Sequence, residues 1–264
     1  MKIAWTFYLQ ELKKSLSYRA EFWLNLVGSV GSYFGVAFFL WKSIFLARGA
    51  ETLQGYTFPA LMLYSLLIPL VERSVMAPDM IGISGEIYDG GLSRYLLYPV
   101  SYFRVKFSGT LAQATIYMGQ MGLVLAIYAA VFGRADISPL SLLMGLIAIL
   151  FSGCLGFWML ANLEMVAFWA DNVWSLAVMN RMASWLMGGG MVPLAFFPDR
   201  VRSALEWLPY IRLLSFPVRC LLGQVGWAEW LFGLGMTAAW SLVFALSGAL
   251  LWRKGLRVYA GVGI

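Results

Sequence analysis

The chain has 264 residues, of which 61% are hydrophobic and 12% charged, and its formal net charge is +6. A soluble domain is typically about one quarter charged, so this composition excludes both an ordinary soluble enzyme and a disordered chain. The sequence contains no histidine and only two cysteines, so we expect neither imidazole catalysis nor a metal site. The basic residues flank apolar runs, which favours a role in membrane orientation over nucleic-acid binding.

The first 21 residues predict an amphipathic helix. Trp5, Leu9 and Leu12 recur at helical spacing on one side, and lysines fill the other side. Tryptophan beside lysine is typical of the membrane–water interface. We therefore predict that the segment 1–21 is a helix lying in the membrane surface, the alternative being a short solvated helix with an incidental apolar stripe.

Six apolar runs are long enough to cross about 30 Å of hydrocarbon as helices. These runs are 22–46, 57–77, 107–132, 139–162, 173–196 and 229–252. We therefore expect an all-α membrane protein with six transmembrane helices, forming one membrane domain over residues 1–264. With the N terminus placed in the cytoplasm, ten lysines and arginines lie in inside segments and six in outside segments. This bias predicts that both termini are cytoplasmic.

Two connections between these runs are longer than the others. The cytoplasmic connection, 78–106, has a pair of glycines followed by a short apolar and aromatic run that ends at a proline. This pattern is typical of a turn, a short helix and a stop, which either anchors two spans or docks a soluble partner. The outer connection, 197–228, is too apolar for a free loop and too interrupted for a span, so it predicts short re-entrant helices. The prolines in and beside it are Pro193, Pro198, Pro209 and Pro217.

Among the ionisable residues within or at the ends of the predicted spans, four are candidates for a buried role: Glu72, Arg73, Glu164 and Arg181. A charge in lipid is costly, so each of them requires a partner or a function. One interpretation is a proton relay or substrate path. The interpretation that we favour is structural pairing, with Arg181 bound to either Glu72 or Glu164.

Motifs of catalysis and nucleotide binding are missing from the sequence. It contains neither the Gly-x-x-x-x-Gly-Lys-Ser/Thr P-loop nor a Gly-x-Ser-x-Gly nucleophile elbow, so we expect that this chain is not an enzyme.

Small residues four positions apart, such as Gly31 and Gly35, indicate close helix contacts within the chain or in a dimer.

Four motifs in chain order resemble those of type-2 ABC transporter permeases, specifically the six-span exporter subunits of prokaryotes whose ATPase is a separate chain. They are the segment 86–100, Phe-Trp at 168–169, the Gly- and Pro-rich run 188–223, and the tail 253–263. The resemblance covers nearly the whole chain. It implies that a coupling helix near 84–99 docks on the ATPase, with the helix 1–21 and the turn 164–172 as further contacts. The residues that it assigns to ATPase coupling are Glu86, Gly90, Gly91, Leu92, Arg94, Tyr95, Leu96 and Pro99.

The function that the resemblance implies is export by alternating access of an apolar or amphiphilic substrate from the cytoplasm or inner leaflet across the bacterial inner membrane. Two copies of an ABC ATPase would carry ATP and Mg²⁺, so this chain would hold no cofactor. A second permease chain, identical or related, would complete the transporter, and the outer re-entrant segment would close the pathway. The alternative is an ion- or proton-coupled secondary transporter that acts without an ATPase.

Overall fold

The computed structural model describes residues 2–17, 19–76, 81–97, 101–132 and 137–260. These residues form helices and connecting turns and contain no β-strand beyond one isolated bridge. The α-helices are α1 (Lys2–Ser17), α2 (Arg19–Arg48), α3 (Phe58–Val75), α4 (Ile83–Tyr88), α5 (Leu92–Leu96), α6 (Tyr102–Phe132), α7 (Pro139–Met165), α8 (Trp174–Met187), α9 (Asp199–Leu205), α10 (Pro209–Leu213), α11 (Ser215–Leu221) and α12 (Trp227–Val258). Short 3-10 helices, Val166–Phe168 and Leu194–Phe196, follow α7 and α8. The predicted all-α fold is confirmed.

Five stretches of helix in the described ranges are long and apolar enough to cross a bilayer. They are Leu26–Arg48, Phe58–Val75, Tyr102–Ala130, Pro139–Phe168 and Trp227–Val258. The sixth predicted span, 173–196, forms only the 14-residue α8, which is about 21 Å long at 1.5 Å per residue. α8 ends at Met187 with Gly188 as its C-cap residue, and the following Gly189 has a left-handed φ of +79°, which stops a helix. A count of six spans is therefore not confirmed.

α3 is the central helix of the bundle. Every residue from Leu61 to Glu72 is buried, because α2, α6, α7 and α11 all pack around it. The side chain of Thr57 begins the helix by accepting a hydrogen bond from the amide of Ala60, as an N-cap residue does. The carboxylate of Glu72 therefore lies inside the protein and needs a hydrogen-bonding or charged partner there.

The two long connections lie at opposite ends of α7. α4 packs against the C-terminal part of α7 and the 3-10 helix Val166–Phe168. α11 packs near the start of α7, where a Cβ on Gly145 would overlap the side chain of Leu221. The segment 197–228 contains the short helices α9 to α11. The described part of the segment 78–106, residues 81–97 and 101–106, contains two short helices before α6 begins, where one was expected.

Glycines allow the closest helix contacts of α7. A Cβ on Gly156 would lie 2.7 Å from the carbonyl oxygen of Val75 in α3, which is closer than a carbon atom can approach. A Cβ on Gly153, one turn away, would lie 3.9 Å from the carbonyl oxygen of Ser74, an ordinary contact. The backbones of α3 and α7 can therefore touch at Gly156 only because glycine has no Cβ atom.

We predict that Gly156→Ala destabilises the protein, whereas Gly153→Ala on the same helix has little effect. The carbonyl of Val75 belongs to the α3 backbone, so α3 and α7 would have to separate, at a cost of about 1–3 kcal/mol. Thermal unfolding of the two variants in the same detergent measures the difference. Equal melting temperatures would contradict this packing of α3 on α7.

Candidate functional site

The candidate site is the hairpin formed by α4 and α5. One side of it is buried, since the side chains of Ile83 and Leu92 have no exposed surface and that of Ile87 has almost none. These residues pack against the C-terminal part of α7. Gly90 makes the turn between the two helices with a left-handed φ of +70°, which favours glycine. The hairpin is therefore anchored by apolar burial on one side only.

The opposite side of the hairpin faces outward. Arg94 is exposed, Leu96 is 48% exposed and Leu97 is 85% exposed. Gly91 precedes α5 as its N-cap residue, and Tyr95 is half-buried beside Arg94, whose guanidinium lies 5.8 Å from the tyrosine ring centroid. Arginine and tyrosine are residue types enriched among interface hot spots, and here they lie next to two exposed leucines. The predicted coupling residue Pro99 lies outside the described residues.

Glu164, near the end of α7, holds the beginning of α4. Its fully buried carboxylate accepts hydrogen bonds from the backbone amides of Ile81, Ile83 (2.6 Å) and Ser84 (3.1 Å). α4 follows Gly82, which has no side chain to cap the helix. A carboxylate from a different helix thus satisfies amides that would otherwise be unpaired at a helix start.

A second group of contacts joins the hairpin to α6. Nζ of Lys106 lies 2.7 Å from Oε1 of Glu86, and the hydroxyl of Tyr102 donates to Oε2 of the same carboxylate. Lys106 also donates to the carbonyl of Ile81 at 3.3 Å and lies 5.7 Å from the ring centroid of Tyr95. The two charged side chains are only 14% and 18% exposed, so solvent screens this ion pair less than a surface pair. Burial, and then the charge of Glu86, raise the pKa of Tyr95 above its ordinary value.

Two of the other sequence motifs also reach the hairpin. The hydroxyl of Tyr88 donates to the carbonyl of Ala170 at 2.9 Å, just after the Phe-Trp motif. The hydroxyls of Ser93 and Tyr259 lie 3.2 Å apart, which brings in the C-terminal motif. The ring of Phe168 occupies the space where a Cβ on Gly255 would stand. Three motifs that are distant in sequence therefore meet at one end of the molecule, with α6, α7 and α12 all tied to the hairpin.

Glu72 and Arg181 form an ion pair within the bundle. Nε of Arg181 lies 3.0 Å from Oε1 of Glu72, and the indole of Trp185 donates to the same oxygen at 2.7 Å. Nη1 of Arg73 donates to the hydroxyl of Ser29 at 2.9 Å. Of the two pairings left open by the sequence, the structure forms the one between Arg181 and Glu72, and it adds a tryptophan that the charge pattern alone did not indicate.

The amphipathic helix α1 lies along α6. The hydroxyl of Tyr8 donates to that of Thr115 at 3.2 Å. Trp5 is 61% exposed and Leu9 37% exposed, whereas Leu12 is half-buried. The helix ends at Ser17 rather than at residue 21, since residues 19–21 belong to α2. Its outward apolar side chains are available to a membrane surface or to another protein.

The predicted outer prolines mark the boundaries and interior of the short helices. Pro193 is buried before the 3-10 helix Leu194–Phe196, and Pro198 precedes α9. Pro209 begins α10 and Pro217 lies within α11, both of them buried. Proline at the start of a helix costs no hydrogen bond, so Pro209 is tolerated where α10 begins, whereas its missing N–H could not continue a preceding helix.

Five long apolar helices and an all-α fold over the described ranges define a multi-pass membrane protein. The sequence profile of the ABC-2 family transporter proteins matches residues 32–263. The chain belongs to this family, and it is therefore a transmembrane subunit of an ABC transporter, the membrane component that normally lacks ATPase activity and associates with an ABC ATPase. The search of curated proteins found no match. The resemblance to type-2 permeases is confirmed.

Proposed function

We propose that this chain is the permease subunit of an ATP-driven exporter, and that the α4–α5 hairpin transmits the movement of a separate ATPase to the bundle. The supporting observation is the position of Glu164, a fully buried carboxylate that ties the start of α4 to α7. A short element held in this way moves with the helices behind it, as a rigid-body mechanism requires. The exposed Arg94, Leu96 and Leu97 would contact the ATPase.

In this proposal, two ATPase chains bind beneath two permeases and supply the ATP and Mg²⁺. α8 and the segment that follows it to residue 196 together form the sixth span, both termini are cytoplasmic, and the membrane is the bacterial inner membrane. The turn near 164–172 is the lesser ATPase contact, supported by the 49% exposure of Trp169. α1 contributes as the interface helix, and α9 to α11 are the re-entrant outer helices of a single permease domain.

The cargo in this proposal is an apolar or amphiphilic molecule. An apolar cavity of 380 Å³ between α2 and α8 supports this choice, because Leu40, Trp41, Met182 and Met191 contribute to its walls. Aromatic and methionine side chains adapt to apolar ligands of varied shape.

Co-purification tests the proposed function. The tagged chain is isolated in a mild detergent, and the chains that accompany it are identified by mass spectrometry. We expect an ABC-type ATPase in a one-to-one ratio, and the number of distinct permeases recovered will separate a homodimer from a heterodimer. A folded preparation that carries no ATPase would contradict the proposal.

The alternative of an ion-coupled transporter draws support from the buried carboxylate of Glu72. That carboxylate is already held by Arg181 and Trp185, an arrangement that favours a structural role over reversible proton binding. Transport by the reconstituted protein discriminates the two functions, because an exporter requires ATP and its ATPase, whereas a secondary transporter requires only an ion gradient.

A further inference from the structure

A second cavity, of 680 Å³, lies at the end of the bundle opposite the α4–α5 hairpin. Its walls come from the turn before α3, from α9 to α11, and from the start of α12. This volume falls within the range typical of small-molecule sites, about 300–1,000 Å³. The charged residues that line it are Arg202, Glu206, Arg212, Arg219 and Glu229.

Arg212 is the unusual residue in this cavity. Its side chain is only 6% exposed, and a guanidinium has five N–H donors to satisfy. Nη2 donates to the backbone carbonyl of Glu206 at 3.0 Å, while Nε has no hydrogen-bond partner in the described part of the chain. Burial lowers the pKa of Arg212, and the charge of Glu206 opposes this effect. A buried cation with one protein acceptor is costly unless a ligand provides further acceptors.

The other two arginines of the cavity already have partners. Arg219 lies 2.8 Å from the carboxylate of Glu229, and Arg202 lies 2.8 Å from that of Asp199. Arg212 forms no such ion pair within the described ranges, so an incoming anion would not have to displace a carboxylate from it.

Aromatic rings lie on the same side of the cavity as Arg212. The centroids of the Phe216 and Phe232 rings are 5.4 and 6.0 Å from its guanidinium carbon, and both residues line the cavity. Their faces provide apolar surface next to the cation. A small inorganic anion would leave this surface and most of the 680 Å³ unused.

We propose that this cavity binds an amphiphilic molecule through an anionic phosphate or carboxylate head, with Arg212 as the charge partner and Phe216 and Phe232 contacting the apolar part. The site uses none of the residues of the α4–α5 hairpin. A negative binding result would therefore contradict this proposal without affecting the proposed function. Likewise, a failure of ATPase co-purification would leave the binding proposal untouched.

The test measures binding to the full-length protein, purified in a neutral detergent, by isothermal titration calorimetry. The probes are hexyl phosphate, inorganic phosphate and hexanol. We expect hexyl phosphate to bind more tightly than either of the others, since it alone offers both parts of the ligand. Arg212→Gln should weaken its binding about tenfold or more, because a charge-assisted hydrogen bond is lost. Arg200→Gln, the matched control on the exposed side of α9, should leave binding unchanged.

Each other outcome overturns the proposal. Equal affinity for inorganic phosphate would show a simple anion site, and equal affinity for hexanol would show an apolar site without a role for Arg212. If Arg212→Gln fails to fold, Ala195→Trp serves instead, because Ala195 lines the cavity and an indole there would fill it while retaining the charge. Undiminished binding of hexyl phosphate to that variant would also overturn the proposal.

Discussion

Leu96→Asp is expected to abolish co-purification of the ATPase with this chain while leaving the chain folded and inserted. Leu96 is 48% exposed at the end of α5, so an aspartate there is solvated in the free chain and costs it little. Buried against a partner, the same aspartate would be a desolvated charge without a counter-ion, which costs about 3–5 kcal/mol. A loss of that size corresponds to more than a hundredfold in affinity.

Arg94→Glu should also reduce the recovery of the ATPase, through repulsion between like charges rather than through desolvation of a charge. Arg94 is exposed on the same surface as Leu96, and reversal of its charge would place like charges together if the ATPase presents a carboxylate there. The measurement for both variants is the ratio of ATPase to permease after affinity purification, with size-exclusion profiles to establish that the permease is folded.

Val201→Asp is the matched control for these variants. Val201 is a 42% exposed apolar residue on α9, at the other end of the bundle, so the same charge is introduced far from the hairpin. Its ATPase recovery should equal that of the unmodified chain. Normal ATPase recovery with both Leu96→Asp and Arg94→Glu would refute the assignment of the hairpin as the docking element.

The sequence predicts the long helices well because hydrophobic length is a property of a continuous stretch of chain. Five of the six apolar runs correspond to helices able to span a membrane. The run 173–196 differs because apolar composition does not report helix continuity. Gly188, Gly189 and Gly190 count as acceptable residues in a hydropathy window, yet Gly189 takes a backbone conformation that stops the helix.

One helix of the hairpin, α5, was also predictable, since glycine, a short apolar run and proline are adjacent in sequence. The additional helix α4 was not predicted, and neither were the contacts that hold the hairpin in place. Glu164 is 83 residues from the amide of Ile81 that it binds, and its partners are backbone atoms, which no side-chain pattern reveals. The pairing of Arg181 with Glu72 was left open for a similar reason, because helical spacing places each charge on its own helix but does not orient the helices relative to one another.

Glu164→Gln is expected to loosen the start of α4 without removing the exposed docking surface. Glutamine has only one carbonyl oxygen, so it can accept either from Ile81 or from Ile83 and Ser84, and its NH₂ group then faces the donor at the other position. Each charge-assisted hydrogen bond lost costs about 1.5–3 kcal/mol, so local opening of the segment 81–88 should increase about tenfold to hundredfold. Hydrogen exchange followed by mass spectrometry measures this opening, with the buried segment 61–72 as the internal reference.

If Glu164 positions the hairpin, the Glu164→Gln variant should bind the ATPase but couple ATP hydrolysis to transport less well. The ATPase should still co-purify, because Arg94 and Leu96 are unchanged, but substrate transport per ATP hydrolysed should fall, because the hairpin no longer moves together with α7. Glu51→Gln removes the same charge from an exposed position and should alter neither exchange nor transport. If exchange in 81–88 stayed at its original rate in Glu164→Gln, the hydrogen bonds of Glu164 could not be what fixes α4 to α7. If exchange rose while coupling stayed intact, the hairpin would be held firmly enough by Lys106, Tyr102 and Leu92 alone, and the transmission of movement would have to pass through α6 instead.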